Sequence, residues 1–485
     1  MKAIGEKRSL AVLLVMIAGY VAFFAFASVF RYRQFLFQNF DLAIGNQILW
    51  NLLHGSMECT IRGGNFFGDH FRPVFFLYLP LYAVRPDPRT LLFLQSVILG
   101  CGAIPLYGVA RDRLGARFGL LFAAIYLFNP LVGYINLFEF HPEVAVAPLL
   151  LGAIYYFYRD RLRPFALCVL LSLMCKENIS FIVFTLGFWA LWHRKRWPWY
   201  LATFGAGAAW AVLSFMIVIP YFNAGAYPYV QLYGYLGRSA GAIVKTCVTR
   251  PLYILSIVCV YPNLRYMFDV FVQFGFLPLL SPLTLLPAMP PLLQILLSHA
   301  RGVPEIYTHY GAKLLPFLFA GSVAAVSWWC RVLKRRWVRV FFGVYLSVFA
   351  IAANVRYGPH LYLPLKWSET AQPETAAMKR ALVEKVSPGA SAVATFDFLP
   401  ALSGRRELYS FHYLYWGYDQ LTGKAFELPD SARTALLDFN DFNIFWAIYS
   451  PHGDENMRAF LVGGKWLVVA GSDSSFLFEK NPPEG

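Results

Sequence analysis

The sequence predicts an α-helical polytopic membrane protein with about eleven spans, a large first external loop and a small extracytoplasmic α/β domain at its C-terminal end. Three observations carry that prediction. Hydrophobic residues make up 58% of the 485 residues and charged residues only 14%, whereas soluble domains are roughly 25% charged. Several apolar runs reach the roughly 20 residues that cross a bilayer as a helix. The Lys and Arg residues behind the net charge of +15 stand in short clusters between those runs. There they set topology, and a nucleic-acid partner is not expected.

The elements follow in order. Lys2, Lys7 and Arg8 precede the first apolar run, about 9–30, so the N-terminus is expected in the cytoplasm and the next loop outside. That run lacks a small-residue cleavage site before Arg31 and is expected to stay as a signal anchor. In the external loop, residues 31–73, Phe40, Ile44, Ile48 and Leu52 recur at helical spacing. They predict a helix lying in the interface with Asp41 in its first turn, a place where helix polarity alone favours an acid. Val74–Val84 is a short apolar piece that dips into the interface.

Further spans are expected at about 89–110, 118–135, 143–158 and 165–175, then down to 193, at 198–220, two within 266–298, and at 313–330 and 337–354. The fifth and sixth are read as broken at Lys176-Glu177, because two adjacent ionisable residues near a bilayer centre are costly. This threading puts the basic clusters 111–117, 159–163, 193–196 and 331–336 in the cytoplasm, as the positive-inside rule requires. The Tyr-rich segment 221–250 is expected along the membrane surface as an interfacial belt. From Val355 the composition becomes ordinary. Strands are expected at 391–397, 442–449 and 465–471 with a helix at 371–386, dividing the chain into a membrane domain, 1–354, and an external domain, 355–485. Seven Cys are scattered without a CxxC pair and are read as small buried residues.

The same threading gathers the remaining polar motifs outside: Asp41 with Asp69, His70 and Arg72; Glu139, His141 and Glu143; Lys176 and Glu177; His309 and Tyr310. So many ionisable groups are expensive facing lipid and are expected to line an outward-opening cavity. Carboxylate, imidazole and cationic groups together suit transfer from a lipid phosphate, with an acid as base and cations receiving the departing phosphate. The bland readings stand beside this: Asp41 as a helix cap, Lys176-Glu177 as a structural ion pair, and His54, His193, His360 and His452 as surface or interface residues. A metal site at Asp69-His70 or Glu139–Glu143 has only loop spacing behind it. No cofactor is assigned, and a divalent metal remains compatible with these residues.

The runs FDLAIGNQILWN (40–51), GDHFRP (68–73), LPLY (79–82), NLFEFHPE (136–143), CKEN (175–178), FLPLLSPL (276–283) and THYGA (308–312) occur in that order. Together they resemble a prokaryotic family of polytopic membrane proteins carrying a domain of unknown function, grouped with the GT-C glycosyltransferases. The resemblance covers most of residues 10–360. It implies a GT-C fold, a polyprenyl-phosphate sugar donor, and Asp41 at the position of the catalytic acid early in the first external loop. The chain departs from the two-acid pattern of some GT-C members, since no Asp-Asp or Glu-Asp pair follows the first span.

The expected function is therefore a membrane glycosyltransferase of the cytoplasmic (inner) membrane, acting on its outer face with membrane lipids around it. Asp41 is its base, and His70, Arg72, Lys176 and His309 meet the donor phosphate. Glu139, His141 and Glu177 shape the sugar pocket, with Asp69, Glu143 and Tyr310 beside them. The external domain would meet the acceptor or a membrane protein partner. The rival is a non-catalytic subunit or lipid-handling protein on the same scaffold. A transporter ranks third, because little polar character lies toward the cytoplasmic side.

Overall fold

A computed structural model describes the chain apart from residues 1, 38, 224, 226, 301, 364–370, 420–422, 448–449, 465 and 482–485. Helix α1 (Lys2–Arg33) is followed by α2 (Asp41–Leu53). Among the described residues five helices are long and apolar enough to cross a membrane: Glu6–Arg33, Pro88–Leu114, Trp197–Asn223, Leu315–Leu333 and Arg336–Tyr357. Two bent pairs, 116–137 and 240–258, raise the number to as many as seven, and four apolar helices of 10–17 residues pack among them. Length and composition thus do not by themselves return eleven spans. The break expected near Lys176 is present, between helices Leu162–Leu173 and Ile179–Trp192.

Helix α2 corrects the sequence reading. An interfacial helix should leave one face wet, yet Leu42 through Leu49 and Asn51 are all buried. Its polar residues are what allow this, because each finds a partner. Asn46 donates to Ser403 Oγ at 2.9 Å and accepts from Tyr82 Oη at 2.7 Å. Gln47 donates to Thr60 Oγ1 and accepts from the Ile61 amide, and Asn51 donates to the Glu58 carbonyl. The helix is a strut between the membrane bundle and the C-terminal region.

In that region a five-stranded sheet runs in the order β4-β3-β5-β7-β6, with β3 Ala392–Ala394, β4 Leu408–Ser410, β5 Thr434–Asp438, β6 Trp466–Ser472 and β7 Ser475–Lys480. The remaining two strands, β1 Glu58–Cys59 and β2 Gly64–Asn65, form a small hairpin after α2. The first three strands of the sheet in spatial order are parallel, and β5, β7 and β6 are antiparallel. The strand expected at 442–449 is a helical turn, Asn443–Ala447. Asp441 accounts for this, because its carboxylate accepts from the Ile444 amide and from Phe396 at the end of β3, closing the turn. Ile448, Tyr449 and Lys465, ends of two expected strands, lie outside the described residues. Strands β4, β5 and β7 were not expected, and the helix at 371–386 is Pro373–Lys385.

Gly45 shows how closely α2 is held. A Cβ there would lie 2.6 Å from Cδ1 of the buried Phe140 ring, and that ring has no free direction to retreat. Gly45→Ala is expected to destabilise the protein by about 1–3 kcal/mol, read as a lower melting temperature in detergent. Gly343→Ala, inside helix Arg336–Tyr357 with nothing within 4 Å of the added atom, should not lower the melting temperature and should raise it slightly, since Ala favours a helix over Gly by about 0.5–1 kcal/mol.

Candidate active site

A cavity of about 1230 Å³ opens at the end of the bundle where α2 begins. Eight of the residues singled out in the sequence line it: Asp41, Asp69, His70, Arg72, His141, Lys176, His309 and Tyr310. Glu139, Glu143 and Glu177 do not; they stand behind the lining and hold it.

Glu139 fixes the start of α2. Phe40, the residue before the helix, offers no side-chain cap. Glu139 supplies one from a distant segment, accepting from the Asn39 and Leu42 amides at 2.9 Å each. One orphan donor of the helix, the Leu42 amide, is thereby satisfied together with the Asn39 amide just before the helix. The Glu139 backbone is left-handed, with φ 50°, and Gln95 clamps the bend by donating to the Glu139 carbonyl and accepting from the His141 amide. Burial and the nearby Asp41 charge push the Glu139 carboxyl up from 4.5 to about 7. The expectation that Glu139 shapes a sugar pocket is thus replaced by a positioning role, because both its oxygens are occupied.

The cap delivers Asp41 to the cavity with its side chain 36% exposed and Oδ2 3.4 Å from His141 Nε2. Burial would raise this carboxyl, but His141 outweighs it and holds Asp41 below the usual carboxylate range. His141 stacks on His309 with ring centres 3.5 Å apart. Burial and the His141 charge lower His309 to about 3, so His309 is a neutral imidazole near neutrality.

Glu143, fully buried, pairs with the cations Lys176, Nζ at 2.8 Å, and Arg72, Nη2 at 3.5 Å, and has the neutral His309 Nε2 at 3.6 Å. Glu177 holds His70 Nδ1 at 2.8 Å and accepts from Tyr227 Oη at 2.8 Å. Burial, only partly offset by Glu177, lowers His70 to about 4. Asp69 pairs with Arg62 at 3.2 Å and accepts from Tyr229 Oη, whose ring stacks on His70.

Lys313, Tyr227 and Tyr229 escaped the sequence reading. Lys313 is buried and lines the cavity, and it makes no hydrogen bond or ion pair among the described residues. Burial and the neighbouring Lys176 charge lower it to about 7. Its signal was a lysine at the threshold of the apolar run from Leu314, directly after THYGA. The tyrosines belong to the segment taken for an interfacial belt; instead they wall the cavity. Among the described residues no group of three or more His, Cys, Asp or Glu is placed to hold a metal ion.

The fold is that of the GT-C membrane glycosyltransferases. ArnT from Cupriavidus metallidurans bound to undecaprenyl phosphate superimposes with TM-score 0.51 at 12% identity, over 95% of this chain and 98% of that one. Its apo form gives 0.50 at the same identity and coverage. The archaeal oligosaccharyltransferase AglB from Archaeoglobus fulgidus, in complex with an inhibitory peptide and a dolichol-phosphate, gives 0.45 at 12% identity over 99% of this chain and 75% of that one. No curated protein matches the sequence significantly. The chain belongs to the family of predicted membrane proteins described as DUF2079, whose model matches residues 31–430.

Two predictions follow from the buried glutamates. Glu143→Gln leaves Lys176 and Arg72 without their shared counter-ion and should cost about 3–5 kcal/mol, seen as a large fall in melting temperature. Because folding raises the Glu139 value from 4.5 to about 7, its contribution to stability is full below pH 4.5 and is lost as pH rises through 7. Glu139→Gln should flatten that part of a stability–pH curve, and an unchanged slope would show that another group produces it.

Proposed function

We propose that the protein transfers a sugar from a polyprenyl-phosphate-linked donor to an acceptor hydroxyl on the extracytoplasmic face of the cytoplasmic membrane. The observation that carries this reading is the two-sided lining of one cavity. Its lining combines the charged Asp41, Arg72, Lys176 and Lys313 with the apolar side chains of Phe181, Val212, Phe215, Met216, Ile243 and Val244. A phosphate on a long hydrocarbon chain matches both parts, since the chain needs apolar contact and the phosphate needs charge. ArnT, of the same fold, has been solved bound to undecaprenyl phosphate, which supports the same ligand class here.

In this mechanism Asp41 accepts the proton of the acceptor hydroxyl as its oxygen bonds to the anomeric carbon. The bond from that carbon to the phosphate oxygen breaks on the opposite side, with inversion. The departing phosphate gains negative charge, which Lys313, Lys176 and Arg72 stabilise in a water-poor cavity. Lys313 is suited to this because burial leaves it only partly protonated near pH 7, so an arriving anion draws a proton onto it. His141, beside Asp41, orients the carboxylate. His70 and His309, read from sequence as phosphate ligands, act here as neutral walls.

The membrane arrangement belongs to the same proposal. The five long helices, the two bent pairs and the four shorter apolar helices would together make eleven crossings, with the N-terminus cytoplasmic and residues 355–485 outside as a separate domain. Those external residues meet α2 near the site, where Phe40 stacks on Phe396 and His412, and there they would contact the acceptor or a protein partner.

Asp41→Asn should abolish transfer from polyprenyl-phosphate sugars while leaving polyprenyl-phosphate binding and melting temperature nearly unchanged. Lys313→Ala should weaken polyprenyl-phosphate binding roughly tenfold or more, as loss of one charge-assisted contact implies. A wild-type protein that binds the lipid but neither hydrolyses nor transfers its sugar would leave the scaffold as a non-catalytic lipid binder.

A further inference from the structure

A second cavity, of about 460 Å³, lies where α1 ends, and it shares no lining residue with the Asp41 cavity. Three arginines from distant segments meet there: Arg33 from the last turn of α1, Arg89 from helix Pro88–Cys101, and Arg380 from helix Pro373–Lys385. Tyr32, Phe35 and Phe37 add aromatic walls. The three segments are fastened together, with Arg380 Nη2 donating to the Arg33 carbonyl at 3.2 Å and the Gln372 amide donating to Gln34 Oε1 at 3.0 Å.

The charges here do not cancel. Arg89 is satisfied by Asp87, with contacts of 2.7 and 2.6 Å. The acids in the lining are Asp397 and Glu384. Asp397 is already held by Lys379 at 2.5 Å and by the Thr395 hydroxyl at 2.9 Å. Neither Arg33 nor Arg380 forms an ion pair among the described residues, and neither does Glu384, so two free guanidinium groups stand against one free carboxylate and the lining stays net positive. Basic residues ordinarily gather on the cytoplasmic side, where they set topology, yet this cluster sits at the same end of α1 as Asp41. It needs another reason to be there.

Below it, α1 turns an apolar face outward, with Val15 72% and Phe26 57% exposed. A ligand that satisfies both features has a phosphate at one end and hydrocarbon chains at the other. We propose that this cavity holds the phosphate headgroup of an anionic membrane lipid from the leaflet that faces the Asp41 site, with its acyl chains along α1. Planar guanidinium forks match phosphate oxygens in pairs, and basic pockets at the ends of spans are a recurrent form of lipid recognition. Because Arg33 sits on the membrane span and Arg380 on helix Pro373–Lys385, the lipid ties the C-terminal region to the bilayer surface. The assignment rests on the orientation proposed above, with the N-terminus cytoplasmic, and not on the sugar-transfer reaction.

Native mass spectrometry of the lipid-stripped full chain, titrated with phosphatidylglycerol or phosphatidylcholine, tests it. The wild type should retain phosphatidylglycerol by roughly tenfold over phosphatidylcholine, since two unpaired arginines, partly offset by Glu384, favour the anionic lipid. Arg33→Gln with Arg380→Gln should erase that preference without lowering the melting temperature. Equal retention of the two lipids, or a double variant that keeps the preference, would overturn the proposal. A titration of the wild type with inorganic phosphate needs no variant: little stabilisation beside a clear effect of phosphatidylglycerol supports the lipid, whereas strong stabilisation by phosphate with no lipid preference assigns the cavity to a soluble anion instead.

Discussion

The cavity depends on one buried carboxylate, Glu143. Arg72 and Lys176 approach each other in a region with little water, where like charges repel far more strongly than in solvent. Glu143 lies behind them and contacts both, together with His309. By absorbing that repulsion it frees the site to hold Lys313 as well, a buried cation that makes no hydrogen bond or ion pair among the described residues. A buried lysine in that condition is energetically poor by itself and well matched to an anion. The arrangement stores binding capacity in an unsatisfied group, and Glu143 makes it tolerable.

The second constraint is the delivery of Asp41. An acid at the first turn of a helix is favoured anyway, but here the helix start is fixed from outside by Glu139, whose left-handed backbone is clamped by Gln95. On its other side α2 is locked to the C-terminal region through Asn46 and Gln47. Membrane bundle and C-terminal sheet therefore meet at the helix that carries the acid. A change in how the C-terminal region sits would be felt directly at Asp41.

Much of this was legible in the sequence, for physical reasons that can be named. Span positions follow from apolar length and flanking charge, so α1, the break at Lys176 and the last two spans lie close to where hydropathy puts them. The clustering of Asp41, His70, Arg72, His141, Lys176 and His309 followed from topology alone, because polar groups that lipid rejects must share a side. What topology could not tell was which carboxylates face the cavity and which stand behind it. Glu139, Glu143 and Glu177 look in sequence like their neighbours, and only packing separates a lining residue from a counter-ion. The burial of α2 was hidden as well, since its partners Thr60 and Ser403 are far apart in the chain. Lys313 was passed over because a basic residue at the edge of a span is ordinarily a topology signal.

A structure of the protein in nanodiscs with a bound polyprenyl phosphate would test the central claim most directly. The phosphate should lie within hydrogen-bond reach of Lys313 and of Lys176 or Arg72, with the isoprenoid chain along Phe181, Phe215 and Val244 and the Asp41 carboxylate facing the bound headgroup. A phosphate held elsewhere, or a cavity that closes with Lys313 paired to an acid of the protein, would contradict it.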